Sequence, residues 1–389
     1  MRYSHPNAVT STHPIALDAE ATAHYRDLAV ALLSAPSAPP SLTSIDIPAL
    51  LALAEQDGLL GLLFDAVNGR ADADRFPLAL LDGLRAGAHR QAARELVQRV
   101  ELQRVIAAMH ARGVDVLLMK GASLAFDVYP DPAWRVRSDV DLFIRADDRT
   151  AARACFADLG YACEPEASGR LIAYQFHCER NDAGRVRHLF DVHWKIANPQ
   201  RFAEAVGFEE LAAAAVPLPR IGPDARGLGR PHALWLACVH RAAHHYDQQT
   251  LVWLYDVHLL VRALDAAGLH EFVALAERTG VRRICLRALV LARERFGTPI
   301  AAPAIAALEA APLDEPSALF LGPRVRRVDV LLDDVRVLRG WSARFTLLKE
   351  HLLPDAAYMR RTYANGSSAP IGWLYVRRIA TGASKWFRP

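Results

Sequence analysis

The chain has 389 residues, enough for two or three domains that each bury a core. Its composition, 52% hydrophobic and 23% charged, is typical of a globular protein and excludes a disordered or fibrous one. The sequence has neither a signal-peptide pattern nor an uninterrupted apolar run of about 18 residues, which predicts a soluble cytoplasmic protein with no membrane partner.

The five cysteines are scattered and form no C-x-x-C pair. Such a set argues against a disulfide framework and against a thiolate zinc site. We therefore expect reduced and mostly buried thiols at Cys155, Cys163, Cys178, Cys238 and Cys285.

Positive charge is concentrated near the C-terminus, although the net charge of the chain is only +3. Residues 324–389 contain 13 Lys or Arg and 5 Asp or Glu. This excess predicts either an attraction for nucleic acid, an acidic substrate or an anionic surface, or simply helix faces in contact with water.

The N-terminal part of the chain has helical periodicity. Residues 18–35 and 46–112 are rich in Ala, Leu and Arg, with apolar positions three and four residues apart, and the turn-rich segment 35–41 lies between them. The last predicted helix of this part runs from about Leu78 to Ala111 and ends at Gly113, a residue that often follows a helix end.

Short apolar runs then predict strands. The tetrad N-D-A-G at 181–184 predicts a hairpin turn between the last two of them. The predicted strands cover 114–119, 140–144, 171–178 and 186–194, and predicted helices cover 122–129 and 147–159.

Helical periodicity returns after residue 200, in 231–265, 268–297 and 324–353. Strands grouped between helical regions predict an α+β fold with a mixed sheet. The predicted parts are a helical N-terminal segment (1–105), a catalytic core (106–198) and a helical C-terminal domain (199–389).

Asp139 and Asp141 stand two residues apart in S-D-V-D-L, on a predicted strand. Because side chains alternate along a strand, both carboxylates point to one face, while Val140 and Leu142 point into the core. Two carboxylates in a half-buried place repel each other unless a cation lies between them. Oxygen ligands of this kind suit Mg²⁺, so the pair predicts a site for one or two such ions.

A small-residue turn follows the first predicted strand and opens a helix. Gly121 and Ser123 form this turn, with Lys120 beside it. The free N–H groups and the dipole of a helix N-terminus favour a phosphate. The turn is therefore a candidate site for the phosphates of a nucleotide.

Arg135, Arg137 and Ser138 precede the aspartate pair and are further candidates for nucleotide binding. The two arginines approach the predicted phosphate site from the other side. An alternative is that they form surface salt bridges with Asp127 or Asp131.

A third carboxylate lies in H-L-F-D-V-H-W, where Asp191 and His193 share one face of a strand. Transfer with two metal ions needs such a third ligand, so Asp191 completes the predicted set with Asp139 and Asp141. His193 fits equally well as a hydrogen-bonded neighbour of Asp191 and as a contact to substrate.

Three histidines, His240, His244 and His245, lie on a predicted helix that is otherwise apolar. His240 and His244 are one turn apart, as in a zinc site, but the glutamate and third ligand of a zinc protease are missing. The histidines then either form a polar face toward the cleft or are buried and bonded to Asp256. We expect this helix to form the acceptor side, with His240 and either His244 or His245 facing the metal site.

Four patches together resemble nucleotidyltransferases of the DNA polymerase β-like superfamily, and more narrowly a bacterial group of uncharacterised nucleotidyltransferase family proteins. The patches are L-M-K-G-A-S-L, R-x-R-S-D-V-D-L-F-I, F-D-V-H-W and H-R-A-A-H-H-x(7)-W-L-Y-D-V, and the resemblance spans about residues 30–365. It implies that Asp139, Asp141 and Asp191 are metal ligands, and that Gly121 and Ser123 form the nucleotide-phosphate turn. The 17 residues between Gly121 and Asp139 exceed the interval familiar in the superfamily, and a turn at 130–134 is expected to absorb the excess.

The expected activity is Mg²⁺-dependent transfer of a nucleoside monophosphate from a nucleoside triphosphate, with ATP the expected nucleotide, to a hydroxyl-type acceptor with release of pyrophosphate. The acceptor is open between a small molecule, a protein side chain and an RNA 3′ end. One alternative is a toxin-like transferase that modifies tRNA, favoured by the basic C-terminal region. The other is a protein that binds a nucleotide without turning it over.

Overall fold

A computed structural model describes residues 18–34, 45–164, 169–182, 186–322, 325–364 and 369–387, with side chains as far as residue 382. The predicted turn at 35–41 and the second half of the predicted hairpin turn at 181–184 lie outside these residues. Among the described helices, none is both long enough and apolar enough to cross a lipid bilayer.

A mixed sheet of seven strands forms the centre of the described residues, in the order β3-β4-β5-β2-β1-β7-β6. The β2–β5 and β1–β7 pairs are parallel and the other neighbours are antiparallel. The strands are β1 (Leu117–Met119), β2 (Val140–Phe143), β3 (Ala162–Cys163), β4 (Gln175–Asn181), β5 (Arg187–His193), β6 (Val216–Pro217) and β7 (Arg226–Gly227).

Helices precede, interrupt and follow the sheet, so the predicted α+β class is confirmed. Before and within the sheet they are α1 (Ala19–Leu33), α2 (Ile47–Gln56), α3 (Leu60–Asn68), α4 (Leu78–Ala111), α5 (Lys120–Asp127), α6 (Arg149–Asp158), α7 (Gln200–Ala203) and α8 (Phe208–Ala213). After it come α9 (Arg230–His245), α10 (Leu251–Ala263), α11 (Ala266–Arg278), α12 (Arg282–Phe296), α13 (Ala302–Glu309), α14 (Arg327–Val337), α15 (Trp341–Leu352), α16 (Ala356–Tyr363) and α17 (Ile371–Phe387).

Two hydrophobic clusters lie on the two faces of the sheet. Val140 and Leu142 pack in the cluster that contains α6 and the C-terminal half of α4, as predicted from strand alternation. Phe143 packs in the larger cluster, which contains side chains of α1–α3 and of α9–α13. Asp141 is on the face of β2 opposite Val140 and Leu142, so its carboxylate points toward the side of these helices. The division of the chain after residues 105 and 198 stays a prediction.

The predicted helix from Leu78 to Ala111 is confirmed as α4. It ends before Gly113, whose φ of 70° lies in the left-handed region that glycine adopts at little cost. The predicted turn at 130–134 is also present, as a short 3₁₀ helix at Pro132–Trp134. It occupies part of the long interval between Gly121 and Asp139.

The strand predicted at 171–178 is displaced, because β4 begins only at Gln175. The Glu350 carboxylate of α15 accepts hydrogen bonds from the backbone N–H groups of Arg170, Leu171 and Ile172. Lys195 donates to the carbonyls of Arg170 and Leu171. A side chain 180 residues away therefore takes the backbone groups that a strand ladder would use.

The helix predicted at 231–265 is broken into α9 and α10. Tyr246 and Asp247 adopt left-handed φ values of 51° and 58° at the end of α9. Asp247 forms ion pairs with Arg241 of α9 and Arg287 of α12. Neither Tyr246 nor Asp247 is glycine or proline, so the sequence has no common helix-stop signal at this position, where the ion pairs of Asp247 accompany the break.

A disulfide joins Cys163 to Cys178, so the prediction of reduced thiols is wrong for these two residues. They are direct partners in the antiparallel register of β3 and β4. Tertiary pairing of the two strands brings the thiols together, and no cysteine-spacing pattern announces it. Cys155, Cys238 and Cys285 are free and buried, as predicted.

We expect the stability of the fold to fall as the pH rises from about 4 to about 7, in part because of Asp334. Burial raises the pKa of Asp334 to about 7, although the Gln200 backbone N–H donates to it. Between its unfolded pKa of about 4 and this value, the folded state keeps a proton that the unfolded chain releases, so folding becomes less favourable. The loss is at most about 4 kcal/mol and is complete near pH 7.

Asp334→Asn should remove this contribution while keeping an oxygen that accepts from Gln200. Urea unfolding at pH 5 and at pH 8 measures the effect as a difference in the free energy of unfolding. If the free energy of unfolding fell by the same amount from pH 5 to pH 8 in the variant and in the wild type, Asp334 would not be the source of the pH dependence.

Candidate functional site

The parallel pairing of β2 with β5 places two aspartates side by side. Asp141 and Asp191 are direct register partners, so both carboxylates lie on the same face of the sheet. Both residues are buried, with 6% and 5% of their surface exposed. This pair forms the centre of the candidate site.

His193 is the third residue of this centre. Its Nε2–H donates to Asp141 Oδ1 at 2.9 Å, and its Nδ1 is buried without a hydrogen-bond partner among the described residues. The hydrogen-bond partner of His193 is therefore Asp141. The prediction that His193 is hydrogen-bonded to Asp191 is wrong. Burial and the charge of Lys120 lower the pKa of His193, so the ring is neutral and Nδ1 keeps a lone pair.

Asp141, Asp191 and His193 each offer one ligand atom, and these atoms lie within 4.8 Å of one another. Two carboxylates and an imidazole can bind a divalent cation. The short distances among these ligand atoms and the two buried carboxylates in register make the donor set fit such an ion. The set differs from the predicted one, because the structure groups His193, and not Asp139, with the other two aspartates.

Lys120 is directed at the carboxylates. Its Nζ donates to Asp141 Oδ1 at 2.7 Å. Burial opposes the charge of Lys120, but Asp141 outweighs it and, with Asp139 and Asp191, raises its pKa. Burial likewise opposes the charge of Asp141, but Lys120 and His193 hold the pKa of Asp141 well below its usual range. An internal cation therefore already compensates part of the negative charge.

The backbone of Lys120 has a φ of 50°, which is uncommon for a residue other than glycine. Lys120 stands between the end of β1 and the body of α5, and Met119, the residue before it, pairs with Asp141. Left-handed backbone of this kind is found often at functional sites. The residue with this conformation is also the one whose ammonium group contacts Asp141.

Asp139 lies at the margin of the site, just before β2, and is half-buried. Ser138 Oγ donates to Asp139 Oδ1 at 3.3 Å. The negative charge of Asp139 contributes to raising the pKa values of Lys120 and His177, which places it within electrostatic range of both. The structure thus brings Asp139 and Ser138 to the edge of the carboxylate pair.

Gly121 and Ser123 lie in the first turn of α5, as predicted for the phosphate turn, but both are buried. A Cβ atom on Gly121 would lie 3.2 Å from the guanidinium carbon of Arg135. The Ser123 hydroxyl packs against Gly227 of β7. The side chain of Ser123 therefore serves the packing of α5 on the sheet.

Arg135 and Arg137 form buried ion pairs with partners other than the predicted Asp127 and Asp131. Arg135 binds Asp256 of α10 through two hydrogen bonds of 2.8 Å, and Arg137 pairs with Glu95 of α4 at 2.6 Å. The alternative of surface salt bridges with Asp127 or Asp131 is wrong, because these two arginines are buried.

The carboxylates proposed for those bridges have other partners. Asp127 pairs with Arg230, and Asp131 caps the turn at Pro132–Trp134. Asp256 binds Arg135 and the Tyr129 hydroxyl. The alternative that Asp256 bonds the histidines of α9 is therefore wrong as well.

His177, which was not among the predicted site residues, lies opposite Asp191 in the β4–β5 register. His177 Nδ1–H donates to Asp191 Oδ1 at 2.5 Å, and Gln175 donates to the other carboxylate oxygen at 3.3 Å. Burial opposes the charge of His177, but Asp191 outweighs it and raises its pKa. The available signal was the alternation of Gln175 and His177 on one strand face.

The histidines of α9 approach the site through a row of rings. The ring of Tyr174 lies 5.9 Å from that of His193 and 6.3 Å from that of His244. His240 lies 5.1 Å from His244 and 4.7 Å from His245, whose ring is 4.1 Å from Trp253. In the described residues, the histidines of α9 are not among the groups that could bind a metal ion.

Burial and the charge of Lys120 lower the pKa values of His240 and His244, that of His244 to about 3. Both rings are therefore neutral at pH 7. The effect of Lys120 shows that α9 lies within electrostatic range of the carboxylate site. Neutral rings of this kind can orient a hydroxyl group, but His244 is too weak a base to keep a proton.

The fold and site define an α+β protein with a buried Asp–Asp–His cluster beside a lysine. A family model described as uncharacterised nucleotidyltransferase matches residues 43–297, which include β1, β2, β5 and α9. The chain belongs to this nucleotidyltransferase family. A search of curated proteins gave no match.

Proposed function

We propose that this protein is a Mg²⁺-dependent nucleotidyltransferase of the polymerase β-like type, which moves a nucleoside monophosphate from ATP or another triphosphate to a hydroxyl-type acceptor. The observation that carries the proposal is the register pair of Asp141 and Asp191, buried together with His193. Family membership supports the same class of reaction. Release of pyrophosphate would accompany the transfer.

Asp141, Asp191 and His193 would hold the ion, with Asp139 at the edge of the site. A bound divalent ion would neutralise charge on the triphosphate and promote ionisation of the attacking hydroxyl. His177 orients the Asp191 carboxylate by its hydrogen bond of 2.5 Å. The remaining contribution of the chain is to position the reactants in a site that is largely shielded from water.

Lys120 would bind the triphosphate. Its Nζ is within 2.7 Å of Asp141 and lies beside the N-terminus of α5, so a phosphate near the metal ligands is within its reach. The backbone N–H groups around Gly121 support this role through the helix dipole. Arg135 would support it indirectly, by packing its guanidinium against Gly121 while bound to Asp256.

The α9 histidines would form the acceptor side of the cleft. The backbone N–H of Asn198 donates to His244 Nε2 at 3.5 Å, which leaves the proton of the neutral ring on Nδ1. The Nδ1–H of His244 is able to donate a hydrogen bond to the oxygen of the attacking hydroxyl and so orient it. Positioning, and not proton removal, is the role that a pKa of about 3 allows for His244.

His244→Gln should lower transfer to the acceptor by about tenfold while leaving triphosphate affinity unchanged. The amide oxygen of Gln can still accept from Asn198, but the group facing the acceptor changes. Single-turnover rates and triphosphate Kd values measure the two effects separately. His232→Gln is the matched control, since His232 lies on the same helix and binds Glu210 instead. If the single-turnover rates of His244→Gln and the wild type were equal, α9 would not form the acceptor side of the cleft.

Incubation with α-labelled and γ-labelled nucleoside triphosphates, Mg²⁺ and cell extract tests the activity directly. Label from the α-phosphate should appear on an acceptor, and label from the γ-phosphate only in pyrophosphate. The labelled species then distinguishes a small molecule, a protein and tRNA. Tight nucleotide binding without any labelled acceptor would favour a binding protein over a transferase.

A further inference from the structure

The C-terminal helices present large apolar side chains to water. On α15, Trp341, Phe345 and Leu352 are exposed, Trp341 by 83% and Phe345 by 69%. Their spacings of four and seven residues place them on one face of the helix. Leu347, on the other side of α15, is completely buried. The exposed stripe is therefore separate from the packing face.

Helix α17 has a second stripe of the same kind. Trp373, Val376 and Ile379 follow one another at spacings of three residues, and each has more than half of its surface exposed. Leu374 is completely buried on the opposite side. The two helices are in contact, because Arg378 donates to the His351 carbonyl of α15.

Positive charge dominates the exposed charged residues of α14–α17. The acidic side chains of this region each have an intramolecular contact: Asp329 with Arg326, Asp333 with Arg201, Asp334 with Gln200, Glu350 with the backbone at 170–172, and Asp355 with the start of α16. Exposed cations are supplied by Arg336, Arg339, Lys349, Arg360 and Arg361. We call α14–α17 with these cations and apolar stripes the C-terminal basic surface.

We propose that the C-terminal basic surface binds the face of an anionic phospholipid bilayer. Helices with an apolar stripe that contains Trp or Phe and with flanking Lys or Arg lie in the plane of such an interface. Trp341 and Trp373 suit the boundary between headgroups and acyl chains, and the cations attract the headgroups. This is attachment to a surface, and it needs no helix that crosses the bilayer.

The observations favour a bilayer over two other partners. Nucleic acid would use the cations and the aromatic rings, but it offers no apolar phase for Leu352, Val376 and Ile379. A second copy of the chain would place two basic surfaces against each other, because a twofold interface pairs identical patches. Only an anionic apolar phase complements both properties of this surface.

Co-sedimentation of the full-length protein with vesicles tests the proposal. We expect binding to mixed phosphatidylglycerol and phosphatidylcholine vesicles that weakens at high salt, and at least about tenfold weaker binding to phosphatidylcholine alone. Trp341→Ser combined with Phe345→Ser should weaken binding by about tenfold or more, since two aromatic side chains no longer enter the interface. Arg336→Gln and Arg339→Gln should each cost about fivefold.

Leu313→Ser is the matched control, since Leu313 is 91% exposed but lies outside the surface. Trp373→Ser combined with Ile379→Ser is a second, independent test of the apolar stripes. Absence of vesicle binding, or binding unchanged in both double variants, would overturn the proposal. The proposal would also be overturned if the wild-type protein were a dimer that the double variants dissociate. The same holds if the protein bound RNA and not vesicles, and the double variants abolished the RNA binding.

Discussion

Asp141→Asn is expected to lower nucleotidyl transfer by on the order of 10³-fold or more. Asp141 contacts both Lys120 and His193 and is the register partner of Asp191. The amide keeps the shape of the side chain but removes the negative charge that a divalent ion needs. Transfer of an α-labelled nucleotide at saturating Mg²⁺ measures the loss, and we expect a loss in Asp139→Asn as well.

Asp57→Asn is the control for removal of a buried carboxylate. Asp57 is also buried and binds Arg26 at 2.7 Å, but it lies at the end of α2, outside the site. We expect this control to lose stability and keep the transfer rate. If folded Asp141→Asn transferred nucleotide at the wild-type rate, Asp141 would have no part in the reaction.

Lys120→Gly should raise the Kd for the triphosphate by about 10- to 100-fold, the contribution of one charge-assisted hydrogen bond. Glycine suits the φ of 50° at this position, so the change removes the ammonium group without straining the backbone. The same change should tighten Mg²⁺ binding in the absence of nucleotide, because Lys120 no longer competes for Asp141 Oδ1. Isothermal titration with each ligand alone separates the two effects.

Lys349→Gly provides a comparison, since Lys349 is an exposed lysine on α15 and lies outside the site. We expect no change in triphosphate affinity there. Unchanged triphosphate affinity in Lys120→Gly would move the phosphate site away from the start of α5. Weaker Mg²⁺ binding in that variant would show that Lys120 supports the ion instead of competing with it.

The sequence alone determined the elements whose signals are local. The period of the apolar residues and the glycine at 113 predicted α4, and short apolar runs predicted the central strands. Alternation along β5 placed Asp191 and His193 on one face, because the side-chain period of a strand is fixed. The candidate metal ligands Asp141 and Asp191 could therefore be named before any contact between β2 and β5 was known.

Only the tertiary structure decided which residues meet across strands and helices. His177 lies opposite Asp191 in the β4–β5 register, and no pattern in the sequence specified that pairing. Arg135 pairs with Asp256, 121 residues away. Lys120, whose backbone is left-handed, donates to Asp141. Periodicity reports which face a side chain occupies, but charged side chains select their partners only when distant elements pack and exclude water. For that reason Asp141 and Asp191 could each be named from the sequence, whereas their direct pairing and their contacts with Lys120, His193 and His177 could not.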